Sequence, residues 1–266
     1  MKIPRHGLSL RLLLIGAVWI LSGGCSLFEV EKPDKYLEGE VLRFFGSLKE
    51  KVIHDTYLST HPQFREKTSL RDFSWLNKVY GLNQHQGFTT ESIRYQKKLA
   101  EVSGILDLSD GSPLPVSLRL IPIKAPAEWK IIHLSFDLRK YVESQGMVEP
   151  GLTEMNSIAR RSLTLFQDSI RRYQMDSFYQ PISRIWKASI TLQEMNDHYA
   201  RYMRDPFLSE DFSDGNLVLQ ASSGVREDGI LNLKGRVVSN LNLIFDSDYF
   251  FENGRWNLIR FEIELE

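Results

Sequence analysis

Between Glu31 and the C-terminus the hydrophobic pattern changes period in the same order twice, helical first and strand-like second. In the first passage Val41, Phe44, Phe45, Leu48 and Val52 recur at helical spacing, and Leu70, Phe73, Leu76 and Tyr80 form a further stripe that stops at Gly81. After Gly87 the spacing turns to alternation: Leu99 to Leu108, Val116 to Ile123 and Glu128 to Leu138 predict strands, separated by turns at Asp110-Gly-Ser-Pro113 and Lys124-Ala-Pro-Ala127. The second passage opens with Leu163, Phe166 and Ile170 and continues through Leu192, Met195, Tyr199 and Met203. Strands are then predicted at Leu217 to Ser222, Gly229 to Val238, Leu241 to Tyr249 and Arg255 to Leu265.

The two passages match in detail. Phe45 and Tyr57 are twelve positions apart, as are Phe166 and Phe178; Tyr57 and Phe64 are seven apart, as are Phe178 and Ile185. Gly104 corresponds to Gly235, and Trp129-Lys-Ile-Ile132 to Trp256-Asn-Leu-Ile259. Two copies of this length predict a duplicated domain rather than a solenoid, which stacks three or more short repeats. Side chains alternate along a strand, so Ile132, Leu134, Phe136 and Leu138 share one face of the first closing strand, and Ile259, Phe261, Ile263 and Leu265 one face of the second. His133, Ser135 and Asp137, and Arg260, Glu262 and Glu264, fall on the opposite faces. One apolar and one wet face predict an α+β fold with helices on a single side of each antiparallel sheet.

A helical segment followed by an antiparallel sheet, a glycine-bearing strand and a closing run such as Asn253-Gly-Arg-Trp-Asn-Leu-Ile259 resembles the nuclear transport factor 2-like, or cystatin-like, cone. The first copy, Ala127-Glu-Trp-Lys-Ile-Ile132, lacks the glycine of that motif. The resemblance implies two tandem cones, at residues 34–138 and 157–266, joined by a linker over 139–156. It also implies an internal pseudo-dimer of the two, since relatives of this fold pair through their sheets.

The N-terminus has a different character. Lys2, Arg5 and Arg11 precede an uninterrupted apolar run from Leu12 to Leu21, the order of a signal peptide and too short for a comfortable membrane span. Leu21-Ser-Gly-Gly24 then leads into Cys25, the one cysteine of the chain. This resembles the bacterial lipoprotein box, with Leu21 one place further from the cysteine than in its commonest form. The resemblance implies cleavage between Gly24 and Cys25, acylation of Cys25 with chains such as palmitate, and a tether over 25–33. With Ser26 rather than Asp after the cysteine, it further implies the outer membrane, periplasmic side. Extended, the tether reaches on the order of 25–30 Å. A lone cysteine excludes an intramolecular disulfide framework and a thiolate zinc site.

Composition limits function further. The 33 basic and 34 acidic residues give a net charge of −1, and loss of Lys2, Arg5 and Arg11 with the leader leaves about −4, so nucleic acid is not an expected partner. There is no GxSxG, HExxH, P-loop or GxGxxG. His54 and His61 are seven apart but followed by Pro62, and no carboxylate lies at ligand spacing to both, so no metal or cofactor is expected. Enzymes of the cone family place acids inside the cone, whereas the inward positions of both closing strands are apolar. Tyr57, Tyr80 and Tyr199 are the candidates to line a cavity, and their ordinary role is amphipathic core. His133, Asp137, Arg260 and Glu262 are candidates for an interface, with Asp137 able to meet Arg260 across the two units. Arg160-Arg161 and Arg171-Arg172 predict the solvated face of a helix. The expectation is a non-catalytic, membrane-anchored lipoprotein that binds an envelope protein; a binder of a small apolar ligand is the alternative, and an isomerase or dehydratase comes third.

Overall fold

The computed structural model describes residues 35–50, 53–96, 99–124, 128–204, 215–239 and 242–265. Gly24, Cys25 and the tether lie outside the described residues, as does most of the acidic run 210–216.

The chain is α+β, with helices followed by an antiparallel sheet in each half. The first half contains α1 (Lys35–Lys49), α2 (Ile53–Ser59), α3 (Pro62–Lys67) and α4 (Leu70–Tyr80), then β1 (Gly87–Gln96), β2 (Leu99–Asp107), β3 (Pro113–Lys124) and β4 (Glu128–Phe136), paired in sequence order. Next come α5 (Leu138–Ser144), α6 (Leu152–Arg171), α7 (Asp176–Tyr179), α8 (Arg184–Ser189) and α9 (Leu192–Met203). Strands β5 (Asn216–Leu219), β7 (Leu231–Val238), β8 (Leu243–Glu252) and β9 (Arg255–Leu265) form the second sheet in that order, and the short β6 (Gly224–Val225) pairs with β7.

Local signals set the helix ends. Ser69 caps α4 by accepting from the backbone N–H of Asp72 (3.1 Å), and Gly81, with φ 62°, closes it in the left-handed region open to glycine. Thr191 and Glu194 form a reciprocal capping box at the start of α9. On the sheets, Ala100, Val102, Leu106, Val116, Leu118 and Leu120 are buried in the same core as Leu37, Val41, Phe45 and Leu48 of α1. In the second half Leu233, Val237, Phe245 and Phe261 meet Leu163, Phe166, Ile170 and Phe178.

Several geometric features recur between the halves. Each closing strand carries a bulge against its neighbour, at Ile132 in β4 and at Ile259 in β9. The N–H of His61 donates to the carbonyl of Ile131, and that of Ser183 to Leu258, both at 2.9 Å. Gly104 and Gly235 are fixed by close approach: a Cβ on Gly104 would collide with the Thr89 carbonyl and the Phe88 ring, and one on Gly235 would lie 2.5 Å from the Val218 carbonyl and 2.9 Å from the Phe245 ring.

The architecture departs from the sequence reading at three places. The segment Gly87–Gln96 is a strand, not merely a change of period; it lies on a sheet edge, and the bulge at Glu91 breaks its alternation. Strand β4 ends at Phe136, so Leu138 belongs to α5 rather than to the strand face. The span 139–156 is not an irregular linker, because it holds α5 and the start of α6, five residues before the expected position 157. That join is packed: Tyr141, Val142, Met147 and Pro150 are buried. The Tyr141 ring stacks on Phe250 on the outer face of β8 (centroids 6.0 Å, 6° between planes), and Gly229, at φ 79°, admits the backbone of α5.

Candidate functional site

The three nominated tyrosines are core residues with different surroundings. Tyr57 packs among Phe64 and Phe73, and its hydroxyl donates to the carbonyl of Thr68 (2.9 Å). Tyr199 sits among Phe166, Phe178 and Tyr202 and donates to the Phe261 carbonyl (3.1 Å); burial pushes its hydroxyl pKa well up. Tyr80 lies against Phe136, and burial likewise raises its pKa against the opposing charge of Arg184. Only Tyr80 of the three borders a cleft. In the second half a small void between Arg161, Phe178, Ile182 and Leu258 is about 10 Å³, the size of a single water.

Of the nominated interface residues, Arg260 and Glu262 pair within the second sheet (3.0 Å), whereas Asp137 and His133 have other partners. Asp137 caps α5 through the N–H of Lys140 (3.0 Å) and pairs with the Lys140 ammonium (3.5 Å). Arg260 is instead held by acids of its own sheet: Nε to Asp248 (2.8 Å), Nη2 to Asp246 (2.6 Å) and Nη1 to Glu262 (3.0 Å). The conceivable Asp137–Arg260 contact is therefore replaced by nearer partners, since acids at alternate positions of β8 lie directly across the ladder from Arg260 and Glu262. His133 is half-buried on the outer face of β4, opposite Arg119; burial first, then the charges of Arg119 and Lys67, lower its pKa.

Around Arg260 the outer face of the second sheet carries a dense charged network. Asn232 donates to Asp246 (2.9 Å) and Asp248 (2.7 Å), Arg226 approaches Asp248 (3.4 Å), and Lys234 approaches Asp246 (3.1 Å). Asp248 is only 5% exposed. Burial alone would raise the Asp246 pKa, but the Asn232 hydrogen bond and the charges of Arg260 and Lys234 leave it below the usual range. Acids and bases alternate and satisfy one another, so the network orders the strands.

A second polar cluster lies where the halves meet. Arg184 at the start of α8 donates through Nη2 to the Tyr141 hydroxyl (2.9 Å), pairs with buried Glu252 (3.3 Å), and approaches Asp110 of the β2–β3 turn (3.8 Å). Its backbone N–H also donates to Glu252 (3.0 Å). Trp75 of α4 donates to Ser189 of α8 (2.7 Å). These contacts, with α5 on β8, join the halves through helices and a turn. Beside them opens a cleft of about 580 Å³ bordered by Asn77, Lys78, Tyr80, Asp110, Arg184 and Lys187.

The remaining sequence candidates have structural partners. His61 caps α3, its Nδ1 accepting from the N–H of Gln63, while His54 pairs with Asp55. Arg161 donates to the carbonyl of Trp256 (2.9 Å) and Arg160 to that of Gly215 (3.3 Å). Among the described residues no three His, Cys, Asp or Glu side chains gather as metal ligands. The sequence reading missed Asp246 and Asp248, although their alternation opposite Arg260 and Glu262 was a usable signal. It also missed Arg184, for which no local signal exists, because its partners are 43 to 74 positions away. Compared with models of known protein families and with curated proteins, the sequence matches none.

Proposed function

We propose that the protein is a non-catalytic lipoprotein, anchored through acylated Cys25 to the periplasmic side of the outer membrane, that presents two tandem nuclear transport factor 2-like cones to an envelope protein partner. What carries this reading is the position of the only cysteine: it follows a basic and apolar leader and the small residues Ser22-Gly-Gly24. Acyl chains supply about 0.8 kcal/mol of membrane affinity per buried CH₂, so two or more hold a folded body stably. Among the described residues no helix is long and apolar enough to cross a membrane.

The duplication is supported by the paired bulges at Ile132 and Ile259, by the matching bonds from His61 and Ser183, and by Gly104 and Gly235. Shared apolar pattern alone would not place a bulge and its hydrogen bond at equivalent positions. A protein partner is favoured over a small apolar ligand because aromatic rings pack between helices and sheet in both halves, Phe45 on Phe88 and Tyr80 on Phe136 in the first and Phe166 and Phe178 on Phe261 in the second. The half-exposed first sheet, with Ser103, Ser117, His133 and Ser135, is the surface we assign to that partner.

Metabolic labelling with palmitate tests the anchor. The intact chain should incorporate label and fractionate with the outer membrane, and Cys25→Ala should lose both; equal labelling of the two would overturn the reading.

A further inference from the structure

We propose that the cleft at the junction of the halves binds a small phosphate-type dianion, held by Lys78 from the first half and by Lys187 and Arg184 from the second. Three cations and one carboxylate, Asp110, border the cleft, in a chain whose net charge is −1. Its charge is thus opposite in sign to that of the whole molecule, and a cleft lined mainly by one sign of charge raises the local concentration of counter-ions.

The two lysines are not spent on acids. Lys78 reaches the carbonyl of Ala188 (3.4 Å), and Lys187 reaches the carbonyl of Gln180 (2.6 Å) while lying 5.6 Å from the centre of the Tyr179 ring. Among the described residues neither has a carboxylate within ion-pair distance, in contrast to Arg184 with Asp110 and Glu252. A carbonyl orients an ammonium without neutralising it, so both keep a full charge and free N–H donors for a ligand. Lysine acts on phosphate as a point charge, and two lysines suit a dianion.

Size and place agree with this reading. A volume of about 580 Å³ is within the ordinary range for small-molecule sites, which favour junctions between units. The cleft wall comes from α4, the β2–β3 turn and α8, so the ligand would touch both halves. The Arg184 contacts to Tyr141, Asp110 and Glu252 fix that wall before a ligand arrives, which lowers the ordering cost of binding. The inference is independent of the lipid anchor and does not rest on it.

The test is titration of the full-length protein, in detergent, with inorganic phosphate at mildly alkaline pH, where it is a dianion, by isothermal calorimetry. Saturable one-site binding that weakens with added salt is expected. Lys78→Gln with Lys187→Gln should weaken it at least about tenfold, which corresponds to about 1.4 kcal/mol. Lys78→Arg and Lys187→Arg should retain most of it, and Lys140→Gln, at a lysine that does not border the cleft, should leave it unchanged. Circular dichroism identifies any variant that fails to fold, in which case the arginine forms and the separate single glutamines carry the comparison. Absence of binding at millimolar inorganic phosphate, or equal binding by the wild type and a folded double glutamine variant, would overturn the proposal.

Discussion

The outer faces of the two sheets occupy equivalent places and are built from opposite chemistry. Counted from Gly104 and Gly235, Ser117 stands where the second sheet has Asp246, Arg119 where it has Asp248, His133 where it has Arg260, and Ser135 where it has Glu262. The first face carries a hydroxyl pair, Ser103 with Ser117 (3.3 Å), and two separate ion pairs, Arg119 with Glu101 (3.4 Å) and Lys130 with Glu128 (3.2 Å). The second carries linked acids and bases around a buried Asp248, and α5 covers its far end at Phe250. A charged pair held at the surface contributes little, whereas burying one commits the surroundings to neutralising it. The charges of the second face are therefore satisfied within one linked network, whereas those of the first are held in separate pairs.

The largest expected effect separates the faces directly. Asp248→Ala leaves Arg260 and Arg226 without their shared acid and should destabilise the protein by about 3–5 kcal/mol. Arg119→Ala, at the equivalent position of the first sheet, should cost less than about 1 kcal/mol. Urea denaturation of both variants measures the difference, and equal losses would break the contrast.

The glycines should instead behave alike. Gly104→Ala and Gly235→Ala each drive a methyl group into a neighbouring carbonyl and an aromatic ring, and each should cost about 1–3 kcal/mol by the same denaturation measurement. A harmless Gly235→Ala beside a damaging Gly104→Ala would mean that the second sheet can open where the first cannot.

Smaller again is Tyr199→Phe, which strands the Phe261 carbonyl and should cost about 1 kcal/mol; Tyr57→Phe, leaving Thr68, should match it in a thermal melt.

The smallest effect is a difference in pH window. His133 has a lowered pKa in the folded state, so its neutral form is favoured there. Its contribution is present above the unfolded value of about 6.5 and fades as pH falls through the folded value. Asp246 is also lowered, but as an acid: its contribution holds above about pH 4 and fades only below that. Replacing His133 by Gln should flatten part of the stability loss between pH 7 and 5 without changing the loss below pH 4. His198, lowered by burial and by Arg201, contributes to the same upper window and remains in that variant.

Much of this architecture was legible in residue order. The helix stripes, the order of helices before strands, the strand at Arg255–Leu265 and the core positions of Phe166, Phe178 and Phe261 follow from period and punctuation. Edge strand β1 was obscured because half-exposure and the bulge at Glu91 erase the alternation that announces a strand. Helix α5 was obscured because it is only seven residues long and lies among the turn signals Gln145-Gly146 and Glu149-Pro-Gly151. Its burial depends on Phe250 and Gly229, both more than eighty positions further on.

The sequence by itself determined most of the helical and extended segments, β1 and α5 apart, which faces of them are apolar, and where the single cysteine stands relative to the leader. These properties depend on neighbours a few residues apart, and local backbone geometry translates them directly. Tertiary structure alone decided that Arg260 pairs with Asp246 and Asp248 rather than Asp137, that the halves join through α4, α5 and α8, and that Lys78 and Lys187 border one cleft. Those outcomes depend on strand register and on the docking of distant elements, where the nearest available partner prevails and sequence separation carries no information about which partner is nearest.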